Sequence, residues 1–352
     1  MSSMTKRVVV LLFALAAVAS IGAATGSGQR AIVSADQQVY TVPAAGGQTR
    51  QVTQGDLAAH SPSWSPDGRR LAYVQGTHIS VVDRQAGTTR SIVFGLVGHD
   101  PPAWSPDGRR IAFTRLTSPE GVARISVVAS TGSKPKVLAS TPWGTGDSQR
   151  GPVWSPDGKL LAFCLQGPKL AVQGGIKASG NLDLAVVTLA GARKRLTSAP
   201  GNEFDPHWSR DGRSILYATD TALRLLPAAG GPSRLVVRLA SIWGASWSPN
   251  GKLIAFTGSR PGESRAHLYV VRPDGSELRR LTGEVTSDTP TWAPSGKLIA
   301  FGTYEPGVAV VAPDGTGRHT VVAIPDADIR NLAWSPDGRT IAFDARQQPP
   351  ES

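Results

Sequence analysis

The side chains best equipped for chemistry in this 352-residue chain are acids, histidines and arginines placed a few residues upstream of recurring tryptophans. They are His60, His99 with Asp100, Arg150, Asp205, Asp288, and Asp328 with Arg330. Brought to one mouth, His99, Asp100, Asp205 and Asp288 would supply the base and acids of a lyase, hydrolase or cyclase. Their spacing alone does not show that they converge. The six histidines, at 60, 78, 99, 207, 267 and 319, fall in different segments without ligand-like spacing, so neither a metal nor a cofactor is expected. The sequence has no G-x-S-x-G elbow, H-E-x-x-H, phosphate loop or C-x-x-C. Trp143 and Trp243 stand outside the recurring pattern and read either as local packing or as ligand contacts, exposed Trp being a common binding anchor.

The elements that must position these residues repeat. Trp64, Trp104, Trp154, Trp208, Trp247, Trp292 and Trp334 each lead into a turn closed by Gly and then an apolar run, as in WSPDGRRLAYV and WSPDGRRIAFT. Successive Trp spacings of 40, 50, 54, 39, 45 and 42 fit the period of propeller blades, and period-two alternation within each unit excludes a helical solenoid. Pro presets φ for the first corner, Asp bonds nearby backbone and Gly takes the left-handed place. The acidic place reads Asn250 in one unit and Ser295 in another, whereas Gly never varies. A turn-capping role therefore outweighs calcium binding by Asp67, Asp107, Asp157, Asp211 and Asp337, because the substitutes lack the charge that hard cations favour.

Third strands follow each hairpin, from VYTVP at 39–43 to VAVVA at 308–312, and basic-apolar fourth strands such as TRQVT, RKRLT and LRRLT complete each meander. The pair at 39–53 precedes the first Trp hairpin, and nothing follows the last at 332–344. These two ends must make one blade together. The fold expected is therefore all-β, a seven-bladed propeller of four-stranded antiparallel blades closed by its N- and C-terminal strands. One second strand is surplus, either residues 31–34 or residues 340–344.

Residues 1–24 read as a signal peptide: Lys6 and Arg7 precede an apolar stretch from Val8 to Ile21, and Gly22, Ala23 and Ala24 offer a small-residue cleavage site before Thr25. The apolar run is shorter than a spanning helix needs, so no stable membrane insertion is expected after cleavage. One propeller domain over residues 25–346 and a polar tail at 347–352 are then expected. The lone Cys164, in the run LLAFCL, reads as a small buried hydrophobe. The formal charge of +11 falls by two with the leader. The Arg and Lys residues lie in turns and outer strands all round the ring and read as solubilising, and no nucleic-acid module accompanies them.

The W-SPDG-(K/R)-x-(I/L)-A-(F/Y) hairpin, with its VV strand and R-x-L-T, resembles the WD-like propeller repeat of the TolB family. Similar repeats occur in the propellers of prolyl oligopeptidase and dipeptidyl peptidase IV relatives. The resemblance covers the mature chain and implies the fold, on which the family hosts binders and enzymes alike. Seven units are more than the six blades of TolB, and no α/β or hydrolase domain is expected beside them.

Alternation places the uniform first-to-second and third-to-fourth turns at one end of the ring, the turn end. The variable second-to-third loops and blade-to-blade connections share the other, the connection end. There His60, His99, Asp100, Arg150, Asp205, Trp243, Asp288, Asp328 and Arg330 would ring the channel, with Trp143 and the Gly167–Asn181 excursion nearby. The expectation is an exported, periplasmic or extracellular, monomeric and non-catalytic module binding an envelope or extracellular protein, peptide or glycan. The propeller enzyme described above is the alternative.

Overall fold

A computed structural model describes residues 37–95, 97–117, 122–142, 151–166, 170–171, 177–178, 181–286 and 289–347. Seven four-stranded antiparallel blades form a ring. Blades 1 to 6 occupy residues 59–93, 103–142, 153–195, 204–238, 241–285 and 291–323. Blade 7 joins Ala327–Trp334 and Thr340–Gln347 to Gln38–Pro43 and Arg50–Gln51. Gln38 pairs with Ala345 and Pro43 with Thr340, so the two ends of the chain close the ring as expected. The C-terminal strand is the one used, and residues 31–34 and the leader at 1–24 lie outside the described residues.

Each turn is self-sufficient in hydrogen bonds. In the first, the Ser65 hydroxyl donates to Asp67 Oδ1 at 2.6 Å and accepts from Arg70 N at 2.9 Å, while Asp67 Oδ1 also accepts from Arg69 N at 3.1 Å. Gly68 holds φ at 69°, the left-handed region that only Gly enters without strain. Asn250 and Ser295 reproduce the bond to the second backbone N–H beyond them, from Lys252 and Lys297, at 3.0 and 3.3 Å. The carboxyls of Asp67, Asp107, Asp157, Asp211 and Asp337 are each held below the usual range, first by the serine hydroxyl of their own turn. A charge-free replacement that keeps these bonds is what a turn demands.

The seven core clusters are the seven interfaces between consecutive blades. At the seam, Leu71 and Tyr73 of blade 1 pack with Ala342 and Val39 of blade 7. Cys164 is buried between blades 3 and 4. The tryptophans link the same interfaces by hydrogen bonds: each indole N–H donates to the carbonyl of the residue just before the Trp of the preceding blade. The circle runs from Trp104 to Ser63 at 3.1 Å, through Trp154 to Ala103 at 2.9 Å, and closes with Trp64 on Ala333 at 3.1 Å. Trp208, Trp247, Trp292 and Trp334 complete it. A buried indole N–H needs a partner, and here the partner is the neighbouring blade.

Outer strands add further ties along part of the ring. Lys136, Lys194 and Arg234 reach carbonyls of Leu189, Ala229 and Pro273 in the next blade's third-to-fourth turn at 2.7, 2.6 and 2.8 Å. Arg90 does the same to Thr131. These cations therefore strap blades together as well as solubilising them. In blade 3 the excursion contains a short hairpin pairing Leu170 with Ala178 and Ala171 with Lys177.

Candidate functional site

The innermost strands enter the channel through a repeated bulge. His60 pairs with Val74 and Ser63 with Ala72, which leaves Ser61 and Pro62 facing Tyr73 alone. The same slip separates Phe204 from His207 and Arg330 from Ala333. The bulged residue, three before the Trp, has positive φ although it is not Gly: Ser61 at 57°, Asp205 at 56° and Asn331 at 53°. Such conformations cost of order 1–3 kcal/mol each and persist only where the surroundings hold them. Here buried carboxylates do the holding. Asp344 of blade 7 accepts from Ser61 N at 2.8 Å, from Asn331 Nδ2 at 2.9 Å and from Gln37 Nε2 at 2.7 Å. Asp205 of blade 4 accepts from Ala245 N of blade 5 at 3.1 Å, and its other oxygen lies 2.9 Å from His207 Nε2.

Around these bulges opens a cavity of about 870 Å³ lined by His60, His99, Asp100, Asp205 and Arg330, among others. Five of the expected site residues thus share one space. Ser61, Asn331, His207 and Gln37 also line it and were not singled out from the sequence. The place three before each Trp was a partial signal, since it reads Ser61, Asp205 and Asn331 where Pro101, Gly151, Gly244 and Thr289 stand in the other units.

The histidine pair is ordered by a chain of donors. Ser61 Oγ donates to the His99 carbonyl at 2.5 Å, so it accepts from His60 Nδ1, 3.0 Å away. That assignment leaves the lone pair of His60 Nε2 facing His99 Nδ1 at 3.4 Å. Burial, and then the neighbouring His99, push His60 down to about 4. The site therefore presents a neutral imidazole at physiological pH. Asp100 is seated by a missing side chain: a Cβ at Gly151 would lie 2.7 Å from its own Cβ.

The remaining expected residues divide. Asp328 sits beside Arg330, whose Nε and Nη2 meet its two oxygens at 3.1 and 3.0 Å. Trp243 does not line the cavity; it packs against the core between blades 5 and 6, which is its packing alternative. Trp143, Arg150 and Asp288 lie outside the described residues. The sequence reading also passed over the apolar side chains of this end. Leu57 and Phe94 on blade-to-blade connections and Tyr304 in a second-to-third turn are 53%, 64% and 54% exposed. The Arg265 guanidinium lies 3.7 Å from the Tyr304 ring centre. A second acid cluster is away from the channel: burial raises Asp183 and Glu203, and Arg195 and Thr197 bond to them within blade 3.

Residues 101–338 match the family described as the TolB beta propeller domain. A curated relative, dipeptidyl-peptidase 5 of Porphyromonas endodontalis, is 34% identical over 119 residues, which are 32% of this chain and 17% of that protein. The chain is thus similar to only a small part of that relative's length. Among solved structures, a putative TolB from Agrobacterium tumefaciens superposes with a TM-score of 0.54 at 21% identity, covering 89% of this chain and 99% of that one. An oligogalacturonate lyase from Vibrio parahaemolyticus superposes with a TM-score of 0.64 at 12% identity, covering 89% and 98%. At these identities the likeness is one of fold.

Proposed function

The chain belongs to the TolB β-propeller family, and on that premise we propose that it is an exported binding module that takes a segment of a protein or peptide at its connection end. One contrast carries this reading. The turn end is built of uniform, repeated turns, whereas the connection end carries the bulged and titratable side chains of the channel cavity and also exposes three apolar side chains, Leu57, Phe94 and Tyr304. Exposed aromatic and leucine anchors at the same end as a cavity with titratable groups are what a protein segment recognises. A cavity of about 870 Å³ is of the size that receives a ligand rather than a single ion. The leader read over residues 1–24 supplies export, to the periplasm or outside, and the partner is then an envelope or extracellular protein. A ring whose blades expose only the short edges of their outer strands favours a monomer.

Photo-crosslinking tests the reading. A benzophenone side chain in place of Phe94 should give a discrete protein adduct in envelope extract, and one in place of Lys252 at the turn end should not. Adding Gly151→Ala, which displaces Asp100, or Arg330→Glu should cut the adduct about tenfold or more with melting unchanged. Equal adducts from both positions, or an adduct indifferent to both changes, would overturn it. Turnover of a glycan or peptide lost on His60→Gln or His99→Gln would replace it with the enzyme reading.

A further inference from the structure

Ring closure does to the charges what the sequence alone does not display. The residue after each turn glycine is basic in every blade: Arg69, Arg109, Lys159, Arg213, Lys252, Lys297 and Arg339. All seven are exposed. Antiparallel topology puts all seven at one end, at the head of each blade's second strand. The turns also touch one another. A Cβ at Gly68 would contact Pro336 of blade 7, at Gly108 Pro66 of blade 1, and at Gly158 Pro106 of blade 2, each at 3.4–3.6 Å. Blade 4 has Arg210 in place of the proline, and its guanidinium bonds the Pro249 carbonyl at 2.9 Å instead. The result is a flat plate of abutting turns edged by cations.

Acids offset this plate only in part. Asp67, Asp107, Asp157, Asp211 and Asp337 stay ionised in their turns with Oδ1 bonded there, while blades 5 and 6 have neutral Asn250 and Ser295 beside Lys252 and Lys297. Lys159 meets Asp157 at 3.8 Å with 81% and 57% of the two side chains exposed, a pair that water screens. Further cations, among them Arg84, Lys134, Arg193, Arg234, Arg272 and Arg318, outnumber Asp83, Asp274, Glu277 and Asp314 in or beside the third-to-fourth turns of the same end. The connection end is mixed, with Asp56, Asp220, Glu305 and Asp326 exposed there.

We propose that the turn end docks the protein peripherally on the surface of an anionic lipid bilayer, leaving the connection end and its channel free for the ligand. Shape selects this partner over a linear polyanion. A polymer is tracked by a groove and, if it is a single-stranded nucleic acid, by open aromatic faces. At this end the Trp64 and Trp104 rings are already covered by Arg84 and Arg70, at 4.9 and 4.7 Å. A ring of fixed cations on a plane fits a planar array of head groups, each Lys or Arg near the surface contributing about fivefold in partitioning.

Sedimentation of the processed, purified protein with vesicles decides the matter. It should pellet with phosphatidylglycerol–phosphatidylethanolamine vesicles, stay with the supernatant on phosphatidylcholine, and leave the anionic vesicles when salt shortens the Debye length to about 3 Å. The double change Arg109→Gln with Arg213→Gln should weaken partitioning roughly 25-fold without altering the melting temperature. Arg346→Gln, at the connection end, should leave it unchanged. Equal binding to phosphatidylcholine, or full binding by the double variant, would overturn the proposal. Retention of a DNA duplex with no vesicle binding would overturn it in favour of a polymer.

Discussion

His60 shows how one side chain can belong both to the scaffold and to the site. Its Nδ1 is committed to Ser61, and its Nε2 lone pair meets His99, so a proton added there has to displace an existing contact in a buried place. The folded value of about 4 lies below the ordinary value of 6.5, so the unfolded chain binds the proton more readily between them. Stability from this group is therefore complete above about pH 6.5 and is lost as pH falls toward 4, by an amount of about 3 kcal/mol at most. Urea denaturation across that range should show the loss in the wild type and a clearly shallower one in His60→Gln; parallel curves would refute the assignment. The sequence displayed His60, His99, Asp100, Asp205 and Arg330 as candidates because they precede the inner strands. It did not display the left-handed bulge of Ser61, since the carboxylate that holds it, Asp344, lies 283 residues away.

Within the elements, the repeat was legible because each hairpin's requirements are local: Ser, Asp and Gly of one turn bond to one another across five residues. What joins the elements was not. The Trp of every unit could be read as a large apolar side chain, yet its indole N–H serves the blade before it. Replacing Trp154 with Phe keeps most of the ring area and leaves the Ala103 carbonyl without that donor. The expected cost is about 1–3 kcal/mol in denaturant unfolding, whereas a change below about 0.5 kcal/mol, ordinary for a surface site, would mean that the bond contributes nothing. The basic fourth strands carry the same lesson, for Lys136, Lys194 and Arg234 are solubilising by composition and straps by position.

On the scale of the whole molecule, seven blades and their closure followed from the offset between hairpins and later strands. The choice of surplus strand did not, because Thr340–Gln347 and residues 31–34 offer similar patterns and only tertiary packing ranks them. The common end of the basic turns needed the ring itself. Deleting Asn331–Ser352 removes half of Ala327–Trp334 and all of Thr340–Gln347, including Asp344, and exposes the edge of Gln38–Pro43. Loss of a single cooperative melt, with self-association on size exclusion, is the expected outcome; an unchanged monomer with an unchanged melt would contradict it. Gln37 and Asp344 are hydrogen-bonded across 307 residues, the longest such separation given above. Gln38–Pro43 finds Arg50–Gln51 locally but meets its other neighbour only when the C-terminal strand is available, so closure over that span comes late. Until then the chain is an unshut array of blades with one open edge at each end. The closing blade is thus a lock that engages only once the C-terminal strands are in place.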